Sequence, residues 1–200
     1  MKNILFFILF FAATLVGYSQ YGVPSIATFE TENNFVNFPG SFNKKQLIYH
    51  TEGYYNFENK DKYAFEIKTN LPIKSYQDFK VVFNFTVPVF NKKFFGITYN
   101  IKDEKNYSFI YVRANEYWIG DKVDGKFKND VFSTLNVSGG KNVDVSISIE
   151  KKSGKTYIVI NGMSIMKRDI PVMGAIFGIL LNGSMKVMLD SVEIHQLDEE

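Results

Sequence analysis

In the stretch DFKVVFNFTVP, residues 78–88, an apolar side chain stands at every second position: Phe79, Val81, Phe83, Phe85 and Val87. Lys80, Asn84 and Thr86 alternate with them, and Val82 is the one exception. An extended chain points successive side chains to opposite faces, so this rhythm makes a strand with one greasy and one wettable side. The rhythm recurs. In FFGITYNI (94–101), Phe95, Ile97, Tyr99 and Ile101 oppose Gly96, Thr98 and Asn100. In NVDVSISIEK (142–151), Val143, Val145, Ile147 and Ile149 oppose Asp144, Ser146, Ser148 and Glu150. Pro88 has no N–H for a ladder, which predicts the end of the first strand there.

Turn chemistry falls between these runs. Asn161-Gly162 separates TYIVI (156–160) from MSIMK (163–167), and both turn residues accept positive φ. Ser153-Gly154, Asp124-Gly125 and Gly139-Gly140 mark further reversals, and GAIFGILLN (174–182) and MKVMLDSVEIHQL (185–197) read as two last strands. No stretch beyond residue 19 keeps a 3.6-residue spacing. Ten to thirteen strands of this kind predict two antiparallel sheets packed face to face, an all-β sandwich. The 20 phenylalanines and 12 tyrosines suit half-buried pleated surfaces. With no cysteine in the chain, a large apolar core must replace disulfides.

The N-terminus reads as an export signal over residues 1–19. Lys2 precedes the uncharged run from Ile4 to Val16, and Gly17-Tyr18-Ser19 offers small residues for cleavage before Gln20. A helix from Ile4 to Tyr18 would rise about 22 Å, short of the ~30 Å hydrocarbon core. The expectation is a mature chain without a membrane span, in the periplasm, the cell envelope or the medium. Residues 20–43 form a lead-in with one or two edge strands, and 44–200 the sandwich. A formal net charge of +2, with mixed signs along the chain, leaves no electrostatic footprint for nucleic acid.

Several segments of the second half are family-like. KNYSFIYV (105–112), EYWIGDKVDGKF (116–127), KNVDVSISIEKKSGKTYIVINGMSI (141–165) and GAIFGILLNGSMKVMLDSVEI (174–194) resemble strand and hairpin motifs of the concanavalin A-like lectin/glucanase sandwiches. More narrowly, they resemble the laminin-G-like and 3-keto-disaccharide-hydrolase-like domains secreted by Bacteroidetes, whose leaders the YSQ ending at 18–20 also resembles. The resemblance implies a jelly roll and glycan chemistry. It leaves a calcium ion open and otherwise implies no cofactor.

Catalytic signals are missing. Glucanases of this fold carry Glu-x-Asp-x-x-Glu, which sets alternate carboxylates on one face, and no such motif occurs. Asp190 and Glu193, three apart on one strand, are predicted to point to opposite faces as a solvated strand end. His50 and His195 stand alone, SGKT at 153–156 is a hairpin rather than a phosphate loop, and GDKVDGKFKND does not complete a calcium loop. What remains is the aromatic strand pair. Tyr107, Phe109, Tyr111 and Arg113 share one face of 106–113, with Phe109 expected in the core. Tyr117 and the lone Trp118 point oppositely, so one of them faces outward. Pyranose rings stack on such side chains while amides and guanidinium groups hold hydroxyls. The candidate ligand-binding residues are Trp118, Tyr117, Tyr111, Arg113, Asn84, Thr98 and Asn100, in a non-catalytic glycan-binding or envelope-associated module. A hydrolase of the 3-keto-disaccharide type and a protein-interaction scaffold are the alternatives.

Overall fold

The computed structural model describes residues 25–28, 38, 43–51 and 53–196. The predicted export signal lies outside them, as does most of the 20–43 lead-in. Among the described residues there are fourteen strands and no helix. They are β1 (Ser25–Thr28), β2 (Gln46–Thr51), β3 (Tyr54–Asn59), β4 (Ala64–Asn70), β5 (Phe79–Phe90), β6 (Phe95–Asp103) and β7 (Asn106–Arg113). β8 (Glu116–Val123), β9 (Lys126–Thr134), β10 (Gly140–Lys152), β11 (Lys155–Ile160), β12 (Met163–Arg168), β13 (Ile176–Asn182) and β14 (Met185–Gln196) complete the chain.

All pairings are antiparallel. One sheet runs β12-β11-β10-β5-β14-β3-β2, with β1 along the second half of β14; the other runs β4-β13-β6-β7-β8-β9. Alternation sends Phe79, Val81, Phe83, Phe85 and Val87 of β5 inward, all but invisible to solvent. They meet Phe95, Ile97, Phe177 and Ile179 of the facing sheet in one cluster. The Phe83 and Phe177 rings lie 5.8 Å apart and the Phe85 and Phe95 rings 5.2 Å apart. Each such buried side chain contributes about 1.5–3 kcal/mol of transfer free energy, so the sandwich holds without cross-links.

The hairpins use the expected residues. Asn161 and Gly162 take φ of 48° and 76°, and Asp124 and Gly125 take 50° and 79°, the two successive left-handed positions of a tight hairpin. Pro88 corrects the expectation that it ends its strand, because β5 continues to Phe90. Beyond Thr86, β5 pairs only with β10, so it behaves as an edge, where a missing N–H is tolerated. Asn142, directly across from Pro88, turns to φ 52°, and the register resumes on either side.

Two bulges decide what reaches the surface. Leu189 pairs with Phe85 and Ser191 with Asn84, so Asp190 is an extra residue in β14. Val131 pairs with Ile119 and Asn129 with Gly120, so residue 130 is an extra one in β9. An extra residue inverts the inside–outside parity of everything beyond it.

Candidate functional site

The alternation that turns Ile97, Ile110, Val112 and Ile119 into the core turns Thr98, Tyr107, Phe109, Tyr111, Arg113 and Trp118 to the outer face of the six-stranded sheet. Six rings form a continuous row there. Phe132 stacks on Trp118 (centroids 5.0 Å), Trp118 tilts against Phe94 (5.8 Å), and Phe94 stacks on Tyr111 (5.1 Å). Tyr111 then stacks on Phe109 (4.4 Å), which meets the edge of Phe127 (5.5 Å). Phe109 is fully covered, but by this outer row and Leu180 rather than by the main core. Phe109 is buried as expected, in this second cluster: both faces of β7 are apolar, and each packs into a different cluster.

Trp118 is the middle of a stack. Phe132 lies against it from β9, and the Arg113 guanidinium sits 4.5 Å from its ring centre from β7. Phe127 and Phe132, 58% and 55% exposed, are the rings open to a ligand. Strict alternation puts residues 127 and 132 on opposite faces, so sequence reading overlooked them. The bulge at 130 brings both outward, opposite Lys122 and Trp118. The available signal was the apolar–polar mismatch within KFKNDVF (126–132).

Polar groups border the row. The Thr98 hydroxyl donates to Glu66 Oε1 (2.5 Å), and Lys68 Nζ lies 3.7 Å from Glu66 Oε2. Gly178 makes this reach possible: a Cβ there would stand 2.1 Å from Thr98 Oγ1 and 2.8 Å from Glu66 Oε1. Arg113 Nε donates to Glu116 Oε2. Lys122 Nζ donates to the Glu104 carbonyl (2.9 Å) and stands over the Tyr107 and Phe127 rings. Glu66, Lys68, Glu104, Tyr107 and Lys122 line a groove of about 580 Å³ on this face. Burial, reinforced by the neighbouring Tyr107 hydroxyl, pushes the Tyr111 phenol far above its ordinary pKa, so it remains a neutral hydrogen-bonding group.

Of the seven residues singled out from sequence, the structure brings together Trp118, Tyr111, Arg113 and Thr98. Tyr117 faces the main core and is 7% exposed. Asn84 lies on β5 in the other sheet, where its Nδ2 donates to Ser191 and Glu193 (both 2.9 Å). Asn100 leaves the face at an irregularity in β6, with φ 52°, and holds residues 171 and 173. Alternation cannot say which sheet a strand joins, and that misplaced Asn84.

The expectation that Asp190 and Glu193 point to opposite faces is also corrected. The Asp190 bulge puts both on the outer face of the eight-stranded sheet, where the Thr86 hydroxyl donates to Asp144 Oδ1 (2.9 Å) and Asp190 Oδ2 (3.1 Å). Burial raises the Asp190 carboxyl to about 6, the Thr86 bond opposing and Asp144 adding to the shift. Its Oδ1 is buried without a hydrogen-bond partner. Among the described residues, no group of three or more His, Cys, Asp or Glu gathers to hold a metal ion, and no helix is long and apolar enough to cross a membrane.

No family model and no curated protein matches the chain. Solved structures do. An endo-1,3-β-glucanase (laminarinase) catalytic domain from Thermotoga petrophila superposes with a TM-score of 0.60 at 8% identity, over 90% of this chain and 100% of that one. The β-glucanase of Bacillus licheniformis gives 0.56 at 11% identity, over 89% and 99%. The carbohydrate-binding module CBM66 of Bacillus subtilis gives 0.55 at 12% identity, over 82% and 98%. The chain shares the two-sheet jelly-roll sandwich of these structures, and the likeness is one of fold.

Proposed function

We propose that this chain is an exported, non-catalytic glycan-binding module that holds its ligand on the outer face of the six-stranded sheet. The row of six touching rings carries this reading. It ends in the two open rings of Phe127 and Phe132 and is bordered by Glu66, Lys68 and Lys122, with the buried Thr98 hydroxyl held against Glu66. Apolar ring faces pack on the C–H faces of pyranoses, and the polar border exchanges hydrogen bonds with hydroxyls. The leader-like residues 1–19 support export, and the fold is one that carbohydrate-binding modules use.

Affinity electrophoresis against a panel of plant and host polysaccharides tests this. At least one polysaccharide is expected to retard the wild-type protein, and Phe127→Ala/Phe132→Ala is expected to migrate freely. Retardation of neither protein by any polysaccharide, with self-association through β9, would favour a protein-interaction scaffold instead.

One observation favours a second, hydrolytic reading: Glu66 and Glu104 line the same groove. Glycoside hydrolysis needs two carboxyl groups flanking the bond. A reducing-end assay on the polysaccharides that bind separates the readings. Release of sugar that stops in Glu66→Gln would make the chain an enzyme; no release keeps it a binding module.

A further inference from the structure

The connection from β12 to β13, residues 169–175, closes one end of the sandwich and is firmly held. Asn100 Nδ2 donates to the Pro171 carbonyl (3.3 Å), and Asn100 Oδ1 accepts from the Met173 N–H (2.7 Å). The Thr156 hydroxyl donates to the Ile170 carbonyl (2.6 Å), and the Leu71 N–H donates to the Ala175 carbonyl (2.9 Å). Yet Ile170, Met173 and Ile176 are 53%, 73% and 45% exposed. A backbone fixed at four points keeps these apolar side chains out of the core. They line a groove of about 500 Å³, within the range of small-molecule sites, together with Tyr107, Ser108 and Asp121.

The polar part of this groove accepts hydrogen bonds. The Ser108 hydroxyl donates to Asp121 Oδ1 (2.6 Å), and Arg168 Nη2 donates to Asp121 Oδ2. Arg168 is almost wholly buried behind Asp121, and its Nη1 donates to the Tyr99 hydroxyl (2.9 Å). Each carboxylate oxygen keeps a free lone pair, and the Asp121 side chain is 26% exposed. The Asp121–Arg168 pair leaves the polar floor of the groove without net charge while its oxygens still accept, so an uncharged ligand that donates hydrogen bonds and carries an apolar group fits it. Tyr107 and Lys122 line both this groove and the one on the outer face.

We infer that this end groove binds a sugar residue bearing an acyl substituent, with a hydroxyl donating to Asp121 and the acyl group packed against Met173 and Ile176. The inference rests on the glycan-binding reading and adds the decoration that the site selects. Isothermal titration with O-acetylated xylo-oligosaccharides and manno-oligosaccharides, each before and after alkaline deacetylation, tests it. At least one acetylated sample is expected to bind about tenfold more tightly than its deacetylated counterpart and to shift the Met173 methyl resonance. The preference is expected to vanish in Met173→Glu, an exposed substitution that leaves the core intact. Equal affinities for the two forms, or a preference that survives Met173→Glu, overturn the acyl site and leave the glycan reading standing. If none of these oligosaccharides binds, the acyl site is overturned, and the glycan reading rests on the polysaccharide panel.

Discussion

At Gly96 there is no space for a methyl group. A Cβ there would lie 1.9 Å from the Ile110 carbonyl oxygen, a backbone atom that moves only if β6 and β7 part. Gly96→Ala is expected to lower stability by about 3 kcal/mol, at the upper end of overpacking costs, read from the urea midpoint. Gly140, whose added Cβ would meet nothing nearer than 3.5 Å, serves as the control, expected to change by no more than about 0.5 kcal/mol. Phe132 has the opposite character: it is exposed, yet it covers Trp118. Phe132→Ala is expected to cost about 0.5–1.5 kcal/mol, the worth of an aromatic pair, and to red-shift Trp118 emission as water reaches the indole. An unshifted emission maximum would mean that the stack does not persist in solution.

Elements show where sequence reading works and where it stops. The strands that became β5, β6, β10 and β13 were legible because one buried face imposes a two-residue period, though not the run of β5 past Pro88, and the hairpins because Asn-Gly, Asp-Gly and Ser-Gly accept positive φ. Bulges leave no such signature. Those at 130 and at Asp190 hid the outward turn of Phe127 and Phe132 together and the shared face of Asp190 and Glu193. The Asp190 bulge also has a pH consequence. Its carboxyl titrates near 6 in the folded chain against 3.8 when unfolded, so the folded state holds the proton more tightly. The associated stability is complete below about pH 4 and is lost as pH rises through 6. Asp190→Asn is expected to flatten this fall in thermal melts between pH 4 and 8. With allowance for solvent screening at a partly exposed group, the variant should gain about 1 kcal/mol at pH 7. Parallel pH profiles for the two proteins would contradict this origin of the shift.

At the scale of the whole molecule, the two sheets are joined by the apolar core and, among the described residues, by one buried charge. Arg168 leaves β12 of the eight-stranded sheet to donate to Tyr99 on β6 and Asp121 on β8 of the other. Burial works against its charge, but the oxygens of Tyr99 and Asp121 outweigh that and push its pKa up. Arg168→Met removes the charge that faces Asp121 and a donor to Tyr99, and a loss of about 3 kcal/mol is expected, at the low end for breaking a buried pair because Asp121 is partly open to water. Arg168→Met/Asp121→Asn is expected to recover part of it, since the uncompensated charge is gone; a double variant no more stable than the single would place the cost in packing. The fold sets the open aromatic row on one outer face and the acid-bearing face of Asp144, Asp190 and Glu193 on the other. An amide chemical-shift map recorded with the polysaccharide fragment that binds best distinguishes these faces most directly. The expected map places the largest shifts on β7, β8 and β9, around Tyr111, Trp118, Phe127 and Phe132. Shifts concentrated instead on β5, β10 and β14 would contradict glycan binding by the aromatic face.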